Sequence, residues 1–270
     1  MCLSNFRIDK NRMEKQNSCS MVVAQQMKAA PANEILHSLL SYALYKDLSK
    51  ELECVSLPLG TIIHREYDPI KYVYFPNQAM ISLVSTMENG ATTEISLIGK
   101  EGMVGLPAIL GGQSINYTAI VQVTGTAMRI KAEALKKQFE AVPKLRKIVL
   151  LYVQARLTYI SQLAACNRQH KIESRLARWL LLVQDCLQTD HLPLTQEFMA
   201  NMLGTNRAGV TLAAQKLQSQ DIISYSRGNI TVKDRQGLES SSCECYSIMT
   251  DEIGRLAEML NVKKPLWRRF

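Results

Sequence analysis

Residues 192–234, LPLTQEFMANMLGTNRAGVTLAAQKLQSQDIISYSRGNITVKD, decide the fold of the C-terminal half. Thr195 is a favourable N-cap for a helix that runs to Leu203. Gly204 follows that helix and tolerates a positive φ, and Asn206 can cap a second helix. The stretch therefore predicts two helices that are joined by a three-residue turn.

Two helices that cross steeply at such a turn need a small residue at the contact and an apolar anchor on the second helix. Ala200 and Val210 stand at those positions. The predicted shared core contains Phe198, Leu203, Ala214 and Leu217. The following run IISYSRGNITV predicts a β-hairpin with Arg227-Gly228 at its tip, which completes a winged helix-turn-helix. A helical hairpin inside an unrelated core is the alternative.

In this kind of module the second helix enters the major groove of DNA with its N-terminal residues against the base edges. Arg207 lies at that end, and its guanidinium is suited to a bidentate contact with guanine, although it could instead form a surface ion pair. Lys216 could equally be a solvated surface lysine. The predicted DNA-binding residues are Thr195, Gln196, Thr205, Asn206, Arg207, Val210, Thr211, Lys216 and Arg227.

The distribution of charge agrees with a polyanionic partner for the C-terminal half. The chain of 270 residues has a formal net charge of +8. Residues 51–140 carry 7 Lys/Arg and 9 Asp/Glu, whereas residues 141–270 carry 18 and 11. This asymmetry is weak evidence alone, because a solvated helix face also concentrates charge.

Residues 54–130 have a different texture of short β-rich runs separated by turn residues. The runs are CVSLPLG, TIIHREY, KYVYFP, MISLVST, TEISLIG, YTAIVQV and AMRI. Asn89-Gly90 between two of these runs is a hairpin signal. The pattern predicts an antiparallel sandwich or roll.

A long helix is predicted from Pro143. Residues at alternating spacings of four and three form a heptad seam on it, which predicts a dimer interface. The seam consists of Leu145, Val149, Tyr152, Arg156, Tyr159 and Leu163. A second stripe at similar spacing indicates that the helix packs on two sides; it consists of Leu150, Val153, Leu157, Ile160 and Ala164. A core helix within one subunit is the alternative.

These patterns divide the chain into a mobile tail at 1–33, a β-roll at 34–142, a dimerisation helix at 143–166 and a DNA-binding domain at 167–270. The sequence shows no apolar run of membrane-spanning length and no secretory signal, so we expect a cytoplasmic protein. The seven cysteines are an odd number without a disulfide spacing, which suits a reducing compartment.

The order of roll, long helix and winged helix-turn-helix resembles the Crp/Fnr family of bacterial transcription regulators over about residues 52–246. The phrases that carry the resemblance are YVYFPNQAMISLVSTMENG, GKEGMVGLPAILGG, AACNRQHKIESRLARWLL, LPLTQEFMANMLG and YSRGNITVKDRQGLESSSCECY. The resemblance implies an α+β chain whose N-terminal antiparallel β-roll is jelly-roll-like and similar to a cyclic-nucleotide-binding domain. It also implies a homodimer that binds a two-fold symmetric promoter site and recruits or excludes RNA polymerase.

The motifs that bind cofactors in this family are incomplete here. Members that bind cyclic AMP have a Gly-Glu pair and a later Arg, whereas Gly105 precedes Leu106 and the residues before Thr118 lack Arg. Iron–sulfur members have closely spaced N-terminal cysteines, and only Cys2 and Cys19 lie in this tail. We therefore expect neither ligand. An effector pocket is predicted at Val104, Gly105, Leu106, Thr118 and Ala119.

The remaining candidates for a cofactor are a histidine and two cysteines. His64 is the only histidine of the β-rich residues 54–130, and we expect a structural or solvated role rather than haem ligation. Cys243 and Cys245 are predicted to lie on the final helix, too close for a reliable pair of metal ligands on one face. We expect them to pack in the core, with redox sensing as the alternative, and we expect no metal site.

The recognition helix also departs from its relatives, which often have Glu near Leu212 and Ser or Thr near Gly209. The target sequence should therefore differ. Two other functions compete with DNA-binding regulation. A cupin-type enzyme needs two or three histidines on a metal, which one histidine in the β-rich region cannot supply, so we expect no enzyme. The second alternative is a β-roll ligand-binding adaptor or protein-interaction module with reduced DNA binding.

Overall fold

The computed structural model describes residues 32–39 and 43–261. The described chain divides into two compact units. The first contains the described residues up to Leu83 together with residues 97–152, and the second contains Val84–Ser96 and Val153–Glu258. The predicted mobile tail lies outside the described residues except for its last two positions.

Asn33 corrects the predicted end of that tail, because its side chain is buried in the first unit. Its Oδ1 accepts hydrogen bonds from the backbone N–H groups of Ile35 and Leu36 and so caps helix α1. Its Nδ2 donates to the carbonyl oxygens of Pro76 and Gly102. The ordered part of the roll therefore begins before residue 34.

In the part of the roll that the structure describes there are seven strands and four short helices. The strands are β1 (Glu53–Leu57), β2 (Ile62–His64), β3 (Tyr72–Pro76), β4 (Met80–Thr86), β5 (Thr92–Ile98), β6 (Thr118–Val123) and β7 (Gly125–Lys131). The helices are α1 (Glu34–Ser38), α2 (Ala43–Leu48), α3 (Leu106–Leu110) and α4 (Ala132–Ala141).

The strands form two sheets, in the orders β1-β7-β3 and β2-β6-β4-β5. Strand β7 pairs antiparallel with both β1 and β3. The predicted Asn89-Gly90 turn is confirmed: Gly90 has a φ of 82°, and the N–H of Met87 donates to the carbonyl of Ala91 at 2.8 Å. The predicted class of fold, an antiparallel roll followed by a long helix and a helix-turn-helix, is confirmed.

Helix α5 spans Pro143–Gln169, three residues beyond the predicted dimerisation segment. Of the helices in the described part of the chain, only α5 is long and apolar enough to cross a membrane, with a mean hydropathy of 1.2 over 18 residues. This is weak evidence for a membrane span, because core helices pass the same test. The polar contacts of α5 described below favour a helix packed against protein.

The second unit contains the remaining helices and a small sheet. These elements are α6 (Ile172–Leu187), β8 (His191–Leu192), α7 (Gln196–Leu203), α8 (Arg207–Ser219), β9 (Ile223–Ser226), β10 (Asn229–Val232), α9 (Arg235–Ser241) and α10 (Cys245–Met259). The three strands pair in the order β8-β10-β9. The core of this unit is formed by the apolar face of α6, with Trp179 buried at its centre.

Candidate functional site

Helices α7 and α8 form the predicted helix-turn-helix, and its caps are in place. The Thr195 hydroxyl accepts a hydrogen bond from the N–H of Phe198 at 3.1 Å. Gly204 ends α7 with a φ of 59°, a conformation that favours glycine. Asn206 Oδ1 accepts from the N–H of Gly209 at 2.7 Å and starts α8. The turn therefore follows the geometry that the sequence predicts.

Val210 was predicted to touch DNA, and the structure corrects this. Its side chain is buried with Ala200 and Leu203 in the core between the two helices. A residue that anchors α8 from inside cannot also reach a base edge. Val210 therefore positions the recognition helix rather than contacting DNA.

The exposed face of α8 contains two residues, Leu212 and Gln215, that were not among the predicted DNA contacts. Arg207 is exposed at the first position of the helix, as predicted. Leu212 is 68% exposed, which is unusual for leucine, and Gln215 is exposed beside it. Leu212 and Gln215 follow Arg207 at i+5 and i+8, a spacing that places the three residues on one side of the helix. This helical periodicity is the sequence signal that could have identified Leu212 and Gln215 as part of the exposed face.

The other predicted DNA-binding residues lie on α8 or close to it. The Thr211 hydroxyl lies 2.9 Å from Gln196 Oε1, which joins α8 to the start of α7. The wing turns at Arg227 and Gly228, both with positive φ, and a Cβ on Gly228 would lie 3.3 Å from the Thr195 methyl group. Thr195, Gln196 and Thr211 therefore form one surface with the wing tip. Thr205, Asn206 and Lys216 are at least partly exposed and extend it along the turn and α8.

The turn is also braced from behind. Arg175 on α6 donates from Nη2 to the carbonyl of Leu203, the last residue of α7. The outer part of the β4–β5 hairpin belongs to this same compact unit, and a Cβ on Gly204 would collide with the Thr93 hydroxyl. The buried indole of Trp179 donates to Glu94 Oε1 at 2.9 Å. The turn is therefore packed against α6 and the β4–β5 hairpin.

Two of the predicted effector-pocket residues lie beside His64 in the first unit. Gly105 has a φ of 100°, and a Cβ there would lie 3.3 Å from His64 Nε2. Ala119 is buried and pairs with His64 across β2 and β6. Thr118 and Val104 are also buried, whereas Leu106 is half-buried at the start of α3. The structure therefore brings Gly105 and Ala119 together beside a buried imidazole.

His64 is neutral in this environment. Burial lowers the pKa of its imidazole to about 4, against the opposing effect of the Tyr72 carbonyl. Its Nε2 is buried and makes no hydrogen bond with any described residue. The ring of Tyr74 packs edge-on against it at 5.7 Å between centroids. An orphaned polar nitrogen beside Gly105 is suited to meeting a polar group of a small ligand.

The buried, neutral His64 makes a prediction about pH. Because its pKa is lower in the folded chain than in the unfolded chain, protonation below about pH 6.5 favours unfolding, and stability is lost as the pH falls toward 4. Between pH 7 and 5 we expect this residue to remove about 2 kcal/mol of unfolding free energy. Urea unfolding of wild type and His64→Gln at both pH values measures it. An identical pH dependence in the two proteins would contradict the assignment.

The predicted dimer seam needs a correction. Leu145, Val149, Tyr152, Arg156, Tyr159 and Leu163 are all buried within the single chain. The hydroxyl of Tyr152 donates to the carbonyl of Met103 and accepts from its N–H, both at 3.1 Å. The guanidinium of Arg156 lies over the ring of Tyr159 at 4.5 Å. The seam therefore packs inside the subunit, which was the alternative interpretation.

The second apolar stripe of α5 is the one left uncovered. Leu150 is 49% exposed, Leu157 58% and Ile160 42%. Val153 and Ala164 continue this stripe at spacings of three and four, and neither is buried. A heptad-spaced apolar stripe in contact with water is typical of a helix that pairs with another helix.

The position of Cys243 also differs from the prediction. Cys243 lies in the loop between α9 and α10, and Cys245 is the first residue of α10. The two thiols are therefore not held at a helical spacing of two on one face. Both are buried, as expected.

Comparison with known proteins identifies both units. A model of the cyclic nucleotide-binding domain matches residues 54–141, and a model of the Crp-like helix-turn-helix domain matches residues 174–241. Together they match more than half of the chain. The global nitrogen regulator of Synechococcus elongatus is 23% identical over 200 residues, which cover 68% of this chain and 90% of that protein.

Solved structures show the same fold. A protein from Eubacterium rectale described as a transcriptional regulator of the Crp/Fnr family superposes with a TM-score of 0.63 at 22% identity, covering 74% of this chain and 94% of that one. FixK2 from Bradyrhizobium japonicum superposes with a TM-score of 0.62 at 17% identity, covering 71% and 98%. The roll, the long helix and the winged module thus occur together in the same order.

Proposed function

Since the chain belongs to the Crp/Fnr family of DNA-binding transcription regulators, we propose that it acts as a homodimer on a two-fold symmetric promoter site. The recognition helix α8 of each subunit enters the major groove, and each wing lies against the phosphate backbone. The observation that carries this proposal is the exposed face of α8, where Arg207 lies at the helix start beside a fully formed turn and wing.

Arg207 and Leu212 carry the sequence preference in this proposal. The Arg207 guanidinium donates to the O6 and N7 atoms of guanine, and the exposed side chain of Leu212 contacts the methyl group of thymine. Thr195, Gln196, Thr205, Asn206, Thr211, Lys216 and Arg227 contact phosphates or neighbouring bases. An apolar residue at position 212 cannot accept a hydrogen bond from cytosine, so the operator differs from those of relatives with Glu there.

The subunits pair through the exposed stripe of α5 rather than through the buried seam. Leu150, Leu157 and Ile160 bury their exposed surface against the same residues of the partner helix, which is the isologous arrangement of a two-fold dimer. Two α8 helices then meet half-sites about 34 Å apart on one face of DNA. Pairing also removes from water the apolar surface that α5 exposes.

The roll senses an effector through the residues around His64. We propose a small ligand other than cyclic AMP, because the stretch before Thr118 offers no arginine for a cyclic phosphate and Leu106 replaces the ribose-binding glutamate. Haem and an iron–sulfur cluster in the N-terminal tail are likewise not part of the proposal. Ligand binding changes the positions of the two α5 helices and so the spacing of the recognition helices.

The regulator acts in the cytoplasm, where the DNA and RNA polymerase are, and it controls transcription by contact with or exclusion of the polymerase. It has no catalytic role in this proposal. The roll binds a ligand as a signal and leaves it chemically unchanged.

Substitution of Arg207 tests the reading of DNA. Arg207→Ala should cost about 1–3 kcal/mol of specific binding and relax preference at one base position in each half-site. Lys216→Ala is the matched control. Loss of a phosphate contact should weaken binding about equally on all sequences and lower the salt dependence of binding. Binding by selected and random duplexes, measured by fluorescence anisotropy, separates the two. Equal loss on both duplexes for Arg207→Ala would reassign it to a phosphate contact.

A further inference from the structure

Four side chains of metal-ligating type converge in the second unit. They are Cys166, His170, Cys243 and Cys245, and their sulfur and ring-nitrogen atoms all lie within 4.8 Å of one another. Cys166 Sγ lies 3.5 Å from Cys243 Sγ, and Cys245 Sγ lies 3.5 Å from His170 Nδ1. In a tetrahedral zinc site, Zn–S distances of about 2.3 Å place two sulfurs about 3.8 Å apart. The observed spacing is close to that of ligands around one ion.

Two separate parts of the chain supply the four groups. Cys166 lies in the last turn of α5, and the N–H of His170 donates to the carbonyl of Cys166 at 3.0 Å, which keeps the two side chains one helical turn apart. Cys243 and Cys245 come from the loop before α10 and from its first residue. An ion here would tie the end of α5 to the last helices of the DNA-binding domain.

The groups around the cluster are those expected around a metal site. The Nε2 atom of His170 lies 3.3 Å from a carboxylate oxygen of Glu244, so that Nδ1 faces the thiols. Metal-binding histidines commonly donate their second N–H to a carboxylate, which fixes the ring and the tautomer. Gln162 Nε2 donates to Cys245 Sγ at 3.1 Å, a bond that stabilises a thiolate more than a thiol. Packing of apolar thiols alone would not require these polar partners.

A buried arginine supplies the charge balance. Arg178 is 1% exposed, and it takes part in none of the ion pairs between described residues. Its Nη1 lies 3.8 Å from Met249 Sδ, and its charge acts on Cys166. A buried cation without a counter-charge is costly. Three thiolates and one neutral histidine around a divalent ion carry a net charge of −1, which offsets that cation.

We propose that Cys166, His170, Cys243 and Cys245 form a tetrahedral structural zinc site. Zinc is assigned because three buried thiols and one partly exposed imidazole, which together fill four tetrahedral positions, are a ligand set of structural zinc. The close spacing of the donors suits one ion rather than a multi-iron cluster. The site holds the end of the dimerisation helix to the α9–α10 loop and so fixes the orientation of the winged module on α5.

The test measures metal in the full-length protein, purified without chelators from zinc-supplemented cells. Elemental analysis should find about one zinc per chain in wild type and in Cys186→Ser, a control at a cysteine outside the cluster, and a loss of most of it in Cys243→Ser. Metal-free wild type titrated with Co²⁺ should develop the visible absorption of tetrahedral thiolate-bound cobalt. Because this measurement uses the wild-type protein, it does not require that any variant folds.

Four results would overturn the proposal. They are zinc far below one ion per chain together with no tetrahedral cobalt spectrum, iron with acid-labile sulfide in place of zinc, a Cys166–Cys243 disulfide in the purified protein, or full zinc content in a folded Cys243→Ser variant. None of these measurements uses DNA. A failure of DNA binding therefore leaves the zinc assignment intact, and a failure of the zinc assignment leaves DNA binding intact.

Discussion

A variant with both Leu157→Glu and Ile160→Glu is expected to be a monomer with affinity for its operator reduced by about 10²–10⁴-fold. Both residues are exposed in the single chain and lie on the uncovered stripe of α5. In a two-fold dimer the substitutions would place four carboxylates in one apolar interface, where burial without partners is strongly unfavourable. A monomer must then bind each half-site separately and loses the advantage of linked binding.

Light scattering coupled to size exclusion gives the mass in solution, and fluorescence anisotropy gives operator affinity. The matched control carries Leu59→Glu and Leu110→Glu, two leucines of the roll that are also about half exposed but lie outside α5. It should remain a dimer with wild-type affinity. A dimeric Leu157→Glu, Ile160→Glu protein would show that the subunits pair through another surface.

Arg235→Ala is expected to destabilise the DNA-binding unit by about 3 kcal/mol. Arg235 at the start of α9 lies 2.9 Å from the carboxylate of Asp185 on α6 and donates to the Tyr246 hydroxyl at 2.7 Å. Tyr246 donates in turn to Asp185 at 2.7 Å. Burial raises the pKa of Asp185, and Arg235 opposes this. Removing the arginine therefore leaves a buried carboxylate without its counter-charge.

Urea unfolding followed by circular dichroism measures this loss. The paired variant Asp185→Asn with Arg235→Gln removes both charges while keeping similar side-chain shapes, and it should recover more than half of the stability. If Arg235→Ala changed the unfolding free energy by less than about 0.5 kcal/mol, the network would be no more than a surface ion pair.

Local sequence signals were sufficient for the winged module. The cap residues Thr195 and Asn206, the positive φ of Gly204 and the hairpin at Arg227-Gly228 each follow from short-range backbone chemistry. The roll was predictable for the same reason, since Asn89-Gly90 and the alternating runs are local. The contact role of Val210 was wrong because a residue that anchors a helix in its core is not available to DNA.

The dimer face and the zinc cluster depend on which distant parts of the chain meet. Both stripes of α5 have heptad spacing, and the stripe that the subunit itself covers is set by contacts distant in sequence, such as that of Tyr152 with Met103. Cys166 and Cys243 are 77 residues apart in sequence, and no short motif joins them. Cys243 and Cys245 alone form a poor pair of metal ligands. The other two ligands, Cys166 and His170, come from the end of α5 and are not visible in the local sequence.

In vitro selection of duplexes with the purified full-length protein tests the central claim most directly. A homodimer with two recognition helices should enrich a two-fold symmetric motif whose half-site centres lie about 10–10.5 base pairs apart, or a multiple of that spacing. The Leu157→Glu, Ile160→Glu variant should enrich at most a single half-site. Recovery of no motif, or of one asymmetric motif equally by both proteins, would contradict the account of a dimeric DNA-binding regulator.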